Sequence, residues 1–441
     1  MRVLFIILVV FIGIESSYAQ FLSTYHEQHL IYSQSTGLNS NFYNPRSKRP
    51  KRLTYVLPSF GVTLVSPQLT YGDMYDADTK TLSLVAASES GKDYSLQLNA
   101  RVSYGGLSYK YQNFNFSFFH ELLADGHLNV PNQMFELVTK GNAKFRDASV
   151  DINPYAFLQS THKWSVGIDY QWEKLMAGVQ FNVYTGNAYL NTNSSKLSID
   201  FEQNFFEFGF DKDINVESSG VINYHAVDSI DVLLADNVFT GFGSFSNLGL
   251  GISAQFKYEP FESLKIYGRV DDLGYIRWNH EAEVLTDKSR SKFGGVDIRQ
   301  SYVTGEPYSV EDTLYSKLNI DRQMTAFTSP LLYSLFLGID YGLNDYVSIG
   351  GLVRARNNGA QYLFFIEPQV TLKPLDNLRL SISNIMTASN AFNPKFVLHT
   401  ELGQTFGFNL AVVNPWKFGK YYDVQLLHAS LGMYLKFMRG D

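Results

Sequence analysis

Strict alternation of apolar and polar residues, sustained over long stretches and repeated along the chain, constrains this sequence more than any other feature. Tyr94, Leu96, Leu98, Ala100, Val102 and Tyr104 are apolar or aromatic, and Ser95, Gln97, Asn99, Arg101 and Ser103 lie between them. Successive side chains of a strand point to opposite faces, so the pattern predicts a strand with one apolar and one hydrophilic face. Trp164, Val166, Ile168, Tyr170 and Trp172 repeat it, and Glu173-Lys174 then makes a tight turn. The return strand places Leu175, Ala177, Val179, Phe181 and Val183 on the apolar face, with Gly178, Gln180 and Asn182 opposite.

Two further hairpins follow. Leu248 to Tyr258 pairs with Leu264 to Val270, and Tyr333 to Leu343 pairs with Val347 to Ala355 across Asn344-Asp345. The polar face of the second carries Ser348, Gly350, Arg354 and Arg356. Later strands are expected at Leu378 to Ile382, Phe406 to Val412 and Ala429 to Phe437. Helical periodicity is confined to a short segment opened by Pro131, Asn132 to Thr139.

A soluble sandwich also alternates, and three features favour a membrane instead. The strands read as about 9–11 residues, the length a tilted membrane strand needs. Aromatics bracket the apolar faces at Tyr94/Tyr104, Trp164/Trp172 and Tyr333/Tyr341, with 29 Tyr and 34 Phe in 441 residues to supply them. The opposite faces are Ser, Gly, Asn, Gln and Arg, which suit a wet lumen. Short turns at Glu173, Glu259, Asn344 and Pro374 alternate with long connections at Gly186 to Ser195, Asn223 to Asn247 and Asn279 to Pro330. Bacterial barrels have short periplasmic turns and long external loops, so the long connections, Asn279 to Pro330 among them, are expected outside the cell.

The N-terminus reads as an export signal: Arg2, an apolar run from Val3 to Ile14, and Ser17-Tyr18-Ala19 before the cleavage point. That run is shorter than the roughly 20 residues a spanning helix needs. With 0 Cys there is no lipid-attachment residue and no disulfide framework. A net charge of −6 argues against nucleic acid as a partner. The division is a signal peptide at 1–19, an N-terminal segment at 20–53, and a barrel at 54–441 with a short helical segment near 131–140. The fold class is all-β: a transmembrane, antiparallel, up-and-down β-barrel of about fourteen strands in the outer membrane of a Gram-negative cell.

The sequence carries no catalytic signature. The nine histidines are scattered, and His26 and His29, three apart, read as a solvated tail. There is no metal-ligand spacing, no nucleophile elbow and no phosphate loop. Ser430 and His428 share a face by parity, but no acid orients them. No enzyme activity, cofactor or metal is therefore expected. Arg101, Gln180, Asn182, Arg354 and Arg356 are the candidate lumen-facing residues. The arginines either attract anions or pair with Asp or Glu across the barrel.

Several segments resemble a Bacteroidota family of outer-membrane barrels of unknown function. They are Asn44-Pro45, Gly141-Asn142-Ala143, the run Ser165-Val166-Gly167-Ile168-Asp169-Tyr170, and Asp272-Leu273-Gly274-Tyr275-Ile276-Arg277-Trp278. Such barrels are similar to long-chain fatty acid transporters and to secretion-associated barrels of the same phylum. The family carries no established catalytic residues. Leu264, Ile266, Gly268 and Val270 hold one phase, which Ile276 and Trp278 continue, while Leu273 and Tyr275 sit in the other. Asp271, Asp272 and Gly274 therefore mark a bulge or wall kink, at the rim or beside a lateral gap.

The function expected is a channel for small or hydrophobic solutes. The alternative is a structural or accessory barrel of a secretion, gliding or surface-protein machine. Expected partners are outer-membrane lipid and lipopolysaccharide, the barrel-assembly machinery during insertion, and a hydrophobic small-molecule ligand.

Overall fold

A computed structural model describes residues 51–66, 71–76, 81–141, 143–192, 195–201, 208–225, 229–232, 244–293, 320–357, 359, 362–375, 377–386, 392–402, 405–416 and 426–438. The export signal, His26, His29, Asn44-Pro45, Asn142 and the middle of the Asn279 to Pro330 connection lie outside them.

Among the described residues, fourteen antiparallel strands close into a barrel. β1 runs in two segments, Lys51–Val56 and Ser59–Val65, and so starts ahead of the expected boundary at Thr54. Pro58, which has no N–H to give the ladder, sits in the break. The long strands follow: β2 (Tyr94–Tyr111), β3 (Phe114–Val130), β4 (Tyr155–Gln171), β5 (Leu175–Asn191), β6 (Ser244–Phe261) and β7 (Leu264–Trp278). The remaining strands are β8 (Ser334–Gly342), β9 (Val347–Asn357), β10 (Tyr362–Leu375), β11 (Leu378–Asn384), β12 (Pro394–Leu402), β13 (Phe406–Val413) and β14 (Leu426–Met438). Closure is made by β1, whose Val62 faces Ala100 of β2 on one side and Ala429 of β14 on the other. In lipid only a closed sheet pairs all its backbone groups, and closure of this kind provides that.

The outside is apolar. Leu107 and Tyr109, Phe116 and Phe118, Val166 and Ile168, Val179 and Phe181, and Leu335, Leu337 and Ile339 are all exposed. A continuous belt of such residues has no place in water and is the mark of a bilayer-facing wall. Residues of the opposite parity, Ser95, Gln97, Asn99, Asn115, Asp169 and Asn182 among them, are buried inside. At the end with short connections, Asn344 closes its turn by accepting hydrogen bonds from the Tyr346 and Val347 N–H groups, both at 2.8 Å.

β2 to β7 have 15 to 18 residues, longer than the sequence pattern suggests. Alternation stops early because register shifts change the phase. One falls between Ser103 and Gly105, one beside Ser160/Thr161, and one between Ile252 and Ala254. Beyond them the outward face is no longer open. Ala100, Ala124, Ala188 and Leu190 are buried with Val221, and the partly buried Val216 and Ile222 pack against them. Tyr94, Leu128 and Val130 are buried by two helices, α1 (Leu84–Ser90) and α2 (Asn132–Lys140). Tyr94 is thus helix-packed rather than part of an aromatic girdle; Tyr104, Trp172 and Tyr341 are exposed. Phe135 of α2 packs on residues of the parity that faces outward in β3, so the helix lies against the wall and not inside the lumen.

A small lobe continues from this end. Segments Ser149–Asp151, Lys196–Phe201, Phe208–Ser219, Ala282–Phe293 and Asp321–Gln323 form one sheet, joined to β5 through Glu217 opposite Asn191. Its core is Phe145, Val150, Ile152, Ile199 and Phe201, against Met134 and Leu137 of α2. A buried ion pair, Lys212 to Asp287 at 2.7 Å, ties its two longest segments together.

Candidate functional site

Among the described residues, the lumen is packed on one side and holds a cavity on another. On the side of β4 to β7, Tyr155, Phe157, Tyr184, Tyr189, Ile276, Trp278, Leu331 and Leu332 form a buried cluster inside the wall. Below them Asp272 collects four side chains from three other strands. Lys163 Nζ lies 2.6 Å from its Oδ1, Tyr184 OH donates at 2.5 Å and Asn182 Nδ2 at 3.1 Å, and Ser253 Oγ is 3.5 Å away. A second network links Arg269 to Asp271, Gln255 and Gln180, and Asp169 to Asn115 and Gln255. Arg101 is held by Glu121 of the neighbouring strand, both buried. Polar groups taken out of water must find partners, and these networks supply them. Arg101, Gln180 and Asn182 are therefore spent on structure.

The kink lies on the same side. Asp271 and Asp272 together face Ser253, because the ladder passes from Val270–Ala254 to Leu273–Ile252. Asp272 takes a φ of +62°, which a short polar side chain that hydrogen-bonds locally tolerates best. A Cβ on Gly274 would stand 2.0 Å from the Leu250 carbonyl oxygen, so no other residue fits. The bulge reverses the phase. Leu273 and Tyr275 face outward and are exposed, whereas Ile276 and Trp278 turn inside. The sequence reading, in which Ile276 and Trp278 continue the phase of Leu264 to Val270, is corrected here: the extra residue at the bulge inverts everything after it. The wall remains shut at this point, since the Leu331 N–H donates to the Gly274 carbonyl at 3.1 Å.

The strands on the other side are shorter. β11, β12 and β13 have 7, 9 and 8 residues. A solvent-connected cavity of about 70 Å³ is lined from β1, β2, β3, β9, β10, β12 and β14. Val65, Leu98, Leu352, Leu363, Phe365, Ile385 and Leu426 give it apolar surface, and Asp125, Arg354, Arg356, Glu367, Lys395 and His428 give it charge. Arg356 pairs with Asp125 from across the barrel, and Lys395 Nζ lies 3.3 Å from Glu367 Oε1. Arg354 stands between two rings, its guanidinium carbon 5.2 Å from the centre of Phe336 and 5.6 Å from that of Phe365. Those rings are its direct cross-strand neighbours on β8 and β10. A cation over aromatic faces is held electrostatically while its hydration is reduced.

Of the five residues singled out in the sequence, only Arg354 and Arg356 meet in the cavity. Phe336, Phe365, Leu352, Glu367 and Lys395 were not singled out. Their parity was legible, but which strands face one another across a closed barrel was not. His428 and Ser430 are both buried; His428 Nδ1 lies 2.9 Å from the Val62 carbonyl oxygen. Among the described residues, no group of three His, Cys, Asp or Glu is placed to hold a metal.

Residues 48–408 match the model of a family described as "Family of unknown function (DUF5723)", and the chain belongs to that family. No curated protein matches the sequence. Among solved structures the chain is similar to a "TodX deltaS2S3 mutant monoaromatic hydrocarbon channel", at 8% identity and a TM-score of 0.43, with 92% of this chain and 93% of that one covered. It is similar to the Ralstonia pickettii toluene transporter TbuX at 8% identity and a TM-score of 0.38, covering 88% of both chains. The translocator domain of the autotransporter NalP from Neisseria meningitidis matches at 7% identity and a TM-score of 0.31, covering 95% and 99%. Likeness of this order says nothing of what the barrel carries.

Proposed function

We propose that this barrel sits in the outer membrane, exported there by its N-terminal signal, and passes small amphiphilic or apolar solutes through the cavity between β9, β10, β12 and β14. One observation carries the reading: among the described residues, a lumen packed with side chains on one side keeps a solvent-connected cavity of about 70 Å³, lined by both apolar and charged side chains, on the other. A barrel meant only as a scaffold has no need of such a space. A water-filled porin would have an open polar channel, whereas here seven of the seventeen lining residues are Val, Leu, Ile or Phe. The packed side also means that passage requires movement, so brief, low-conductance openings fit better than a standing pore.

The accessory reading is favoured by a different observation. Among the described residues, the lobe presents Asp321–Gln323 as an exposed edge segment beyond a largely occluded barrel. Edge strands accept partner strands. Native mass spectrometry of the barrel released from membranes separates the two. A small molecule retained by the wild type, and lost when Leu352→Trp fills the cavity, supports the solute channel. A protein partner in fixed ratio, with no retained solute in either form, supports the accessory role.

A further inference from the structure

We infer that the cavity reads the head of its solute through uncharged hydrogen bonds, and that Gln97, with Asn99 and Thr63 beside it, takes a carboxamide carried on an apolar body. This rests on the solute-channel reading of the same cavity.

Thr63 of β1, Asn99 of β2 and Asp125 of β3 stand in one cross-strand row, and Gln97 lies two residues along β2 on the face of Asn99. All four line the cavity. Gln97 and Asn99 are only 6% and 8% exposed. Asn99 is oriented by Asp125, to whose Oδ1 its Nδ2 donates at 2.5 Å, and its own Oδ1 is left as an acceptor. Among the described residues, no group pairs with that Oδ1, with the Thr63 hydroxyl, or with either end of the Gln97 carboxamide. Buried amides and hydroxyls ordinarily have partners, and here the protein supplies none. Water can serve, and a solute that reproduces the same hydrogen bonds can take its place. Gln97 offers a donor and an acceptor side by side, and a carboxamide matches both. Its oxygen accepts from Gln97 Nε2, one N–H donates to Gln97 Oε1, and the second N–H has Asn99 Oδ1 as an acceptor. A ketone or a hydrocarbon brings no donor and leaves both of those oxygens buried unpaired, which disfavours it. The adjoining part of the solute lies against Val65, Leu352 and Leu363. The cavity is open to solvent, so only the head and the start of the body need enter it.

The test uses benzamide and acetophenone, which share a ring and a carbonyl and differ by an amino group in place of a methyl. Binding of each to the purified barrel in maltoside micelles is measured by ligand-observed NMR titration, with protein-free micelles subtracted. The wild type is expected to bind benzamide at least about tenfold more tightly, the size of one buried hydrogen bond. Gln97→Met keeps the length of the side chain and removes both of its hydrogen-bonding ends. It is expected to bring the two affinities together by weakening benzamide. It should also leave the thermal transition on heat-modifiable gels no lower, since no hydrogen bond within the protein is lost. Thr63→Val, the same shape without the hydroxyl, should narrow the preference in part, so the wall is tested even if Gln97→Met does not reach the folded, heat-modifiable form. Equal affinities in the wild type would overturn the head selection and leave the solute channel standing. An absence of binding by both probes would count against the cavity as a binding site at all, and so against the reading beneath it. A benzamide preference that persists in both variants would move the recognition away from this wall. A Gln97→Met barrel that unfolds at a lower temperature would show the carboxamide to be spent on structure and would overturn its assignment.

Discussion

Lys163 on β4 and Asp272 on β7 meet inside the barrel at 2.6 Å, although two strands stand between them in the wall. The contact places a buried cation against the one non-glycine residue of the wall kink that takes a left-handed backbone conformation. The carboxylate also receives Tyr184 and Asn182, so a single side chain pins the packed side of the lumen together.

Removing the cation alone leaves that carboxylate buried without its charge partner, which costs about 3–5 kcal/mol. Lys163→Met is therefore expected to lower the temperature at which the folded form converts to the unfolded form on heat-modifiable gels. Lys163→Met combined with Asp272→Asn, which removes both charges and keeps a residue tolerant of positive φ, should recover most of the loss. A double variant no better than the single one would show that the pair is not the source of the effect.

Gly274→Ala is expected to abolish the folded form. The added Cβ would meet the Leu250 carbonyl oxygen at 2.0 Å and part β6 from β7. Gly209→Ala is the matched control, since its Cβ finds its nearest neighbour, Asp200 Cβ, at 3.6 Å. Insertion yield into lipid bilayers, read by heat modifiability, should drop for the first and hold for the second.

The lobe should loosen in acid. Hydrogen bonding by Ser149, and then by Arg290, holds the Asp200 carboxyl below its ordinary range. A carboxylate with a depressed folded-state pKa stabilises above its unfolded value near 3.9, and that contribution fades as pH falls through the lower folded value. Arg290 is well exposed, so the effect is under about 1 kcal/mol. Limited proteolysis between Ser149 and Phe293 should rise slightly below about pH 4 and lose part of that pH dependence in Asp200→Asn.

Much of this architecture was legible in the sequence, and the reason is the period-two rule. Phe116, Val166, Val179 and Leu337 stand outside because a strand in a barrel has one face for lipid and one for the lumen. What escaped was whatever a bulge or a strand pairing decides. Ile276 and Trp278 kept an outward phase on paper and lie inside because Asp271 and Asp272 share one partner residue. Arg354 and Arg356 could be marked as inward-facing, but the rings beside Arg354 and the Asp125 opposite Arg356 depend on which strands are neighbours in the closed sheet. Tyr94 looked like a girdle aromatic because nothing local announces that two helices cover it.

The cysteine-free chain allows a direct test of orientation. Lys288, which is 82% exposed in the lobe, and Lys174, in a short turn at the opposite end, are each changed to Cys. A membrane-impermeant maleimide should label Lys288→Cys on intact cells, and Lys174→Cys only after the outer membrane is broken. The reverse pattern would invert the assignment of lobe and turns.

Single-channel recording in planar lipid bilayers tests the central claim most directly, with the wild type and Leu352→Trp compared side by side. A solute channel with a partly filled lumen should give brief, small openings in the wild type and none in the variant, whose added ring system occupies the cavity. A wild type that inserts in its folded form yet never opens, or a variant that opens as often as the wild type, would contradict it.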